Sequence, residues 1–328
     1  MNTTYEKTLL TIAIPTYNRA DCLDLCLSQI CKQLKGFEAS VELIVSNNCS
    51  TDATDDIVRN YVDRGIEIRY IKNSENIGAD GNICQCFTMA TGKYVLVFAD
   101  DDVLLDGALE NILRVLDGDY GVIHLKSYSF LNDYLTERPR EPSGCYLTYD
   151  DKRLFIDKVD IMLTFISGTI VNKSLVDPDL NFDEFKSTNL VQLSWTLSAL
   201  LNARQNLFID SFLLAAKAEN TGGYRLCTVF GVNLNKIFAA FVQRGADPGY
   251  FEIINIKILR SFFPNYILTM RKNAGSFHHE DYYHTLYPVF KAYPSFWLVT
   301  WPAIRLPLML AKLWYKICKK FIKIFKLN

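Results

Sequence analysis

The chain has 328 residues, 49% of them hydrophobic and 22% charged, enough length and apolar content for one large or two small globular domains. This composition excludes a disordered segment and a disulfide-stapled module. Net charge is −1, but 27 basic residues face 36 acidic ones through Asp281, and beyond it stand 8 basic residues with no Asp or Glu. An acidic body argues against nonspecific nucleic-acid binding, and only the basic tail suits an anionic surface. The nine cysteines contain no CxxC and read as reduced core thiols. The first apolar run is too short for a secretory signal, so the body is expected in the cytoplasm.

The first 125 residues alternate short apolar runs with helical patterns. Strands are predicted at Leu9–Ile14, Val41–Val45, Ile66–Ile71, Tyr94–Phe98 and Val122–Leu125, and helices at Ala20–Leu34, Thr54–Val62, Asn82–Ala90 and Ala108–Leu116. Strands linked by crossover helices form a mostly parallel sheet, whose ligands sit beyond the strands' carboxyl ends. An exposed loop is predicted at 137–144. From about Asp160 the pattern turns mainly helical, with an apolar run at Phe155–Val171 and helical spacing at Leu190–Leu201, Asn233–Val242 and Ile253–Met270.

The loops after the strands hold the unusual residues. Strand one ends in Pro15-Thr16-Tyr17-Asn18-Arg19, a rigid, aromatic entry to a helix that can cradle a nucleotide or simply cap the helix through Asn18 or Asp21. Strand two ends in Ser46-Asn47-Asn48-Cys49-Ser50-Thr51-Asp52, suited to Asx turns, capping, or an amide contact with a base. Asn76-Ile77-Gly78-Ala79-Asp80-Gly81-Asn82 permits close approach of a ligand, and Asn76 or Asp80 also suits a cap. After strand four, Asp100-Asp101-Asp102 gathers three mutually repelling carboxylates, a pattern that favours a hard cation such as Mg2+ or Mn2+ over a solvated turn capped by Asp102 or Asp106.

Taken in order over residues 9 to 130, the Ile-Pro-Thr-Tyr-Asn-Arg strand end, the Ser-Asn-Asn-Cys-Ser-Thr-Asp turn, the Asn-Ile-Gly segment and the Phe-Ala-Asp-Asp-Asp motif resemble family 2 glycosyltransferases of the GT-A fold. Within that family the chain is similar to bacterial O-antigen enzymes of the abequosyltransferase kind. The resemblance implies an α/β fold and a metal-dependent transfer of a sugar or deoxysugar from a nucleotide-diphosphate sugar to a lipid-linked oligosaccharide. It implies that Pro15, Thr16, Tyr17 and Arg19 line the nucleotide pocket with Asn76 and Asp80, that Asn47 reads the base, that Asp100 holds the ribose, and that Asp101, with Asp102 as alternative, ligates the metal. The family usually carries Asp at the position of Asn47, and an amide, able to donate or accept, leaves uridine, cytidine and deoxythymidine donors open.

Inverting members of the family use a carboxylate as general base in the second half. The matching stretch here, Ser187-Thr188-Asn189-Leu190-Val191-Gln192, holds amides, and the nearest carboxylates are Asp183 and Glu184. Either one of these is the base, or a retaining route needs none, or both are surface residues. Glu219-Asn220-Thr221-Gly222-Gly223-Tyr224-Arg225 is a glycine-hinged loop whose Arg225 suits a leaving diphosphate, or an ordinary connection. A hydrolase lacks its paired acid, and a nicotinamide-dependent dehydrogenase lacks GxGxxG. A noncatalytic nucleotide-sugar-binding or scaffold protein is the remaining alternative.

The expected organisation is a GT-A domain over 1–225, with a nucleotide-binding half 1–130 and an acceptor half 131–225, a helical extension over 226–293 and a basic amphipathic tail over 294–328. In the tail, Lys312, Lys316, Lys319, Lys323 and Lys326 share one face. Leu310, Leu313, Trp314, Ile317, Phe321, Ile324 and Phe325 gather around the other. Arg305, Lys312, Pro302 and Pro307 interrupt every window long enough to span, so the tail is expected to lie in an anionic membrane interface at the cytoplasmic face of the inner membrane. Trp297, Trp301 and Trp314 suit that boundary, and each Lys there contributes about 1 kcal/mol. Packing on the body or on a second subunit of an oligomer is the alternative.

Overall fold

A computed structural model of the chain describes residues 8–140, 144–218, 223–272 and 277–324. The chain divides into two compact units, Met1–Phe155 with Met162–Ala218, and Ile156–Ile161 with Glu219–Asn328.

The first unit begins β1 (Leu10–Thr16), α1 (Ala20–Cys31), β2 (Val41–Asn47), α2 (Thr54–Asp63), β3 (Arg69–Lys72), α3 (Ala79–Met89) and β4 (Tyr94–Val97). The chain continues through β5 (Val103–Leu104), α4 (Ala108–Leu113), β6 (Tyr120–Phe130), β7 (Tyr146–Tyr149), α5 (Lys152–Val159), β8 (Thr169–Asn172), α6 (Gln192–Asn202) and β9 (Gln205–Lys217). Leu10, Ile12 and Ile14 of β1 and Leu23, Leu27 and Ile30 of α1 are fully buried in one cluster, and such burial stabilises by about 1.5–3 kcal/mol per side chain. This is why the short apolar runs become parallel strands covered by helices.

The sheet order is β3-β2-β1-β4-β8-β6-β9-β5, with β7 also on β9. β3, β2, β1 and β4 pair in parallel, as do β6 and β9, whereas β8 runs antiparallel to both β4 and β6. The expectation of a mostly parallel α/β sheet holds. The apolar run Phe155–Val171 is not one element, however. It holds the end of α5, 3-10 turns around the left-handed Asp160 (φ 48°), and β8. β5, β7 and the thirteen-residue β9 escape the periodicity, because β9 reads Gln-Asn-Leu-Phe-Ile-Asp-Ser-Phe-Leu-Leu-Ala-Ala-Lys without clean alternation and its pairing carries register shifts.

The second unit is helical: α7 (Leu234–Gln243), α8 (Pro248–Lys257), α9 (Phe263–Met270), α10 (Tyr282–Phe290), α11 (Trp301–Arg305) and α12 (Leu308–Ile324). Aromatic contacts fill it, with Phe238 stacked on Phe251 at 4.5 Å and Phe263 edge-on to Phe290 at 5.9 Å. Glu280, buried, accepts the Thr228 amide at 3.0 Å and the Cys227 amide, satisfying donors at a helix start.

Candidate functional site

β1 lies between β2 and β4, so the chain leaves it in opposite directions on its two sides. This switch point opens a crevice at the strands' carboxyl ends. The loops after β1 and β2 are stitched together there. The Asn18 amide donates to Ser50 Oγ at 2.9 Å, and Asn18 Oδ1 accepts the Thr51 amide at 2.8 Å, which holds Asn18 in the left-handed region (φ 52°). Asp52 serves two helices at once: it accepts the Ala20 amide at the start of α1 at 2.9 Å and the Thr54 amide at the start of α2 at 3.1 Å. Desolvation would raise its carboxyl, but the Thr54 hydroxyl and these two amides prevail and hold it below the usual range. Neither Asn18 nor Asp21 caps α1 by a side-chain bond; Asp52 caps it from the neighbouring loop. Tyr17 stands exposed at the rim, while Thr16 is buried beneath it.

Across the crevice, Arg19 reaches the acidic triplet. Its Nη1 lies 3.1 Å from Asp100 Oδ1 and 3.3 Å from Asp101 Oδ2. Burial pushes the Asp100 carboxyl up to about 6, opposed by the Arg19 guanidinium. Burial, with the Asp101 charge beside it, pushes Asp102 up to about 7. The triplet is fixed by its surroundings: Ser167 Oγ accepts the Ala99 amide at 2.9 Å, and the Lys217 amide donates to Asp102 Oδ1 at 2.9 Å. Asp102 Oδ2 is buried and no hydrogen bond of ordinary geometry reaches it, although the Ser167 hydroxyl is close enough to favour the charged carboxylate. Among the described residues no three His, Cys, Asp or Glu side chains converge into a ready-made cation site. The unsatisfied Asp102 oxygen and the crowded carboxylates nevertheless fit a divalent ion that draws its remaining ligands from phosphate oxygens and water.

Asn47, at the end of β2, is engaged by the protein itself. It is fully buried, its Nδ2 donates to Tyr70 Oη at 2.7 Å and Asp55 Oδ1 at 3.1 Å, and its Oδ1 accepts the Ser50 amide at 2.8 Å. Lys72 and the Tyr70 hydroxyl also donate to Asp55. The amide is thereby engaged within the protein, so reading a base would require one of these bonds to open. Asn48, which the sequence did not single out, pins the Asn76–Gly78 turn. Its Nδ2 donates to Asn76 Oδ1 at 2.8 Å, and its Oδ1 accepts the Ile77 amide at 3.0 Å. Gly78 can take the left-handed turn into α3 (φ 79°) that a side chain would oppose. Asn82 and Gln85 extend the amide network to Ser46 of β2.

Asp80, in the first turn of α3, is 7% exposed and faces residues 187–191. It accepts the Asn189 amide at 2.9 Å, and amides of Val191, Ser187 and Thr188 also favour its charged form, although burial prevails and raises its pKa. Ser187 (φ 70°) and Asn189 (φ 58°) are left-handed, so the carboxylate folds this amide-rich stretch into a tight turn before α6. Asp183 and Glu184 lie in the 3-10 turn Phe182–Phe185. Asp183 is exposed, pairs with Lys186 at 2.6 Å, and helps line a cavity of about 430 Å³ with Gly81, Gln85 and Met89 of α3. The structure therefore joins Arg19 to Asp100 and Asp101, and Asp80 to the 187–191 turn. Asp183 lies near α3 instead, and Glu184 follows it in the same exposed 3-10 turn. Arg225 is exposed and belongs to the second unit, and residues 219–222 of its loop lie outside the described residues.

Residues 11–173 match the family model described as Glycosyl transferase family 2. The chain is 35% identical over 113 residues to abequosyltransferase RfbV of Salmonella typhimurium, 33% of each chain. It is 29% identical over 184 residues to the GalNAc(5)-diNAcBac-PP-undecaprenol beta-1,3-glucosyltransferase of Campylobacter jejuni, 54% of this chain and 55% of that one. The chain thus spans between a third and about half the length of these curated relatives. In fold it is similar to S. aureus TarS 1–349 in complex with UDP-GlcNAc, with TM-score 0.64 at 15% identity over 95% of this chain and 92% of that one. A mannosyltransferase from Pyrobaculum calidifontis in complex with GDP-Man and Mn2+ matches with TM-score 0.52 at 16% identity, covering 99% of this chain and 89% of that one. The architecture is GT-A.

Proposed function

We propose that this chain, which belongs to glycosyl transferase family 2 through residues 11–173, moves a sugar or deoxysugar from a nucleoside-diphosphate sugar to a lipid-linked saccharide during synthesis of bacterial O-antigen or a related surface polysaccharide. The observation that carries this reading is the pairing of Arg19 with Asp100 and Asp101 beside the unsatisfied Asp102 oxygen, at the switch point of a GT-A sheet. Tyr17, Pro15 and Thr16 would border the nucleoside, and Asp100 would meet the ribose. Asp101, with Asp102, would hold Mg2+ or Mn2+, which supplies charge neutralisation for the diphosphate.

In the reaction the acceptor oxygen forms a bond to the anomeric carbon, the bond from that carbon to the diphosphate oxygen breaks, and the hydroxyl proton leaves to a base. Arg19 is positioned to offset anionic charge at the crevice, and Asp80 shapes the turn beside α6 where acceptor contacts are expected. Asp183 or Glu184 would take the proton in an inverting reaction, while in a retaining route the departing diphosphate oxygen would take it and both carboxylates would be dispensable. The relative from Campylobacter jejuni carries PP-undecaprenol in the name of its acceptor, which supports a lipid-linked substrate; with such a substrate the chain would work from a peripheral position at the cytoplasmic face of the inner membrane. The test is a panel of nucleotide sugars incubated with the protein, divalent metal and a membrane extract, read by mass spectrometry of the lipid fraction. One donor should yield a glycolipid heavier by a single sugar, and a binding-only scaffold would yield none from any donor.

A further inference from the structure

The sequence pattern divides the C-terminal helix into two faces, but the structure divides it into three. At 3.6 residues per turn, Ala311 and Tyr315 fall on a stripe that packs against Leu268, Val299 and Ala303, and the Tyr315 hydroxyl donates to the Ser261 carbonyl at 3.1 Å. A second stripe carries Lys312, Lys316, Lys319 and Lys323. The third, Leu310, Leu313, Trp314, Ile317, Phe321 and Ile324, is exposed along its whole length, with Leu313 at 58% and Ile324 at 71%. Phe325 and Lys326, expected to continue two of these stripes, lie outside the described residues.

We infer that this third stripe and Trp297–Leu298 form one lipid-insertion face that enters the headgroup region and upper acyl layer of an anionic bilayer. It deepens the reading of the chain as a transferase acting on a lipid-linked acceptor by naming the surface that meets the membrane. Four observations carry it. First, the face is assembled from two segments: Trp314 Nε1 donates to the Leu298 carbonyl at 2.8 Å, which sets the exposed Trp297 and Leu298 beside the exposed stripe of α12. Second, both indoles have their donors satisfied within the protein, Trp314 by Leu298 and Trp297 Nε1 by the Lys291 carbonyl at 2.8 Å. The rings can therefore leave water without stranding an N–H. Third, a row of lysines borders the apolar stripe on the side away from the buried one, and no Asp or Glu follows Asp281. A bilayer rich in phosphate complements that pattern, whereas a second copy would bring lysine rows together with no carboxylate in the segment to pair them. Fourth, no helix among the described residues is long and apolar enough to cross a membrane, which leaves α12 to lie in the plane of the interface.

The experiment uses the full chain and sedimented vesicles of phosphatidylcholine, with and without phosphatidylglycerol, plus vesicles whose acyl chains carry bromine. Wild type should bind the anionic vesicles, and brominated chains should quench its tryptophan fluorescence. Replacing Leu310, Leu313 and Phe321 together with Ser should lower vesicle affinity on the order of tenfold or more and abolish the quenching, while Lys316→Glu with Lys323→Glu should remove the preference for phosphatidylglycerol. Unchanged circular dichroism and melting confirm folding, and Leu313→Glu alone, on an exposed site, serves if the triple variant melts. Vesicle binding and quenching indifferent to the apolar substitutions would overturn the inference, as would a dimer that these substitutions dissociate in a protein that binds no vesicles. Nucleotide-sugar binding, measured without vesicles, separates the two readings. Vesicle binding without donor binding would fail the transferase and keep the insertion face, and donor binding without vesicle binding would do the reverse.

Discussion

Arg19 Nη1 lies 3.1 Å from Asp100 Oδ1, so a cation from the end of β1 neutralises a carboxylate from the end of β4 across the crevice between them. The same nitrogen lies 3.3 Å from Asp101 Oδ2, and both carboxylates are nearly buried. Loss of that guanidinium leaves two acidic groups facing each other with little solvent.

Arg19→Ala should therefore destabilise the protein by about 1–3 kcal/mol, less than the loss from a wholly buried pair because the guanidinium is 34% exposed. Donor affinity should fall as well. Arg19→Lys should restore part of the stability but less of the donor affinity, since an ammonium lacks the planar fork that can meet carboxylate and phosphate together. Thermal melting and titration of the nucleotide sugar check both statements; an Arg19→Ala protein that melts and binds like wild type contradicts them.

Asp80→Ala should release the turn at 187–191, because the left-handed Asn189 donates its amide to that carboxylate and the amides of the neighbouring turn residues, Ser187 among them, favour its charged form. The expected cost is about 1–3 kcal/mol, with faster amide exchange at Asn189, and Asp80→Asn should recover some of the stability through its remaining acceptor oxygen. If Asp80 also contacts the donor, Asp80→Asn will weaken nucleotide-sugar binding beyond what its melting accounts for. Hydrogen exchange and donor titration read the two effects separately.

Asp183→Ala and Glu184→Ala distinguish a general base from a route without one. A turnover loss on the order of 10² to 10⁴ at one position, with donor binding kept, identifies the base. Asp183 is exposed and paired with Lys186, so its removal should scarcely alter melting, and a lost turnover could not be blamed on the fold. Near-wild-type turnover in both variants would remove these residues from the chemistry.

Much of the fold is legible in the sequence because β1, β2 and β4 are apolar runs bounded by polar turns, and burial on both faces demands such runs. β9 is not, since its thirteen residues become a strand through pairing with β6 and β7, which no local pattern announces. In the site, the loops rich in Asn, Gly and Asp mark where the chain turns at the sheet edge. What they cannot reveal is which partners a side chain finds. Asn47 meets Tyr70, 23 positions away, and Asp102 meets a backbone amide at Lys217 that leaves no mark on residue type. The third face of α12 was hidden for the same reason: helical period groups apolar residues without telling which of them the rest of the unit covers.

The central claim, a sugar donor held through a divalent cation at the acidic triplet, is tested most directly by calorimetric titration of the nucleotide sugar that the donor panel identifies. Wild type and Asp101→Asn should each be titrated with Mn2+ and with excess chelator. Wild type should bind with Mn2+ and lose at least tenfold in affinity in chelator, because the diphosphate and the carboxylates repel one another unbridged. Asp101→Asn should bind weakly in both conditions while melting at or above the wild-type temperature, one charge having left a crowded acidic site. Equal donor affinity for wild type with and without chelator, or metal-dependent binding that survives unchanged in Asp101→Asn, would contradict the account.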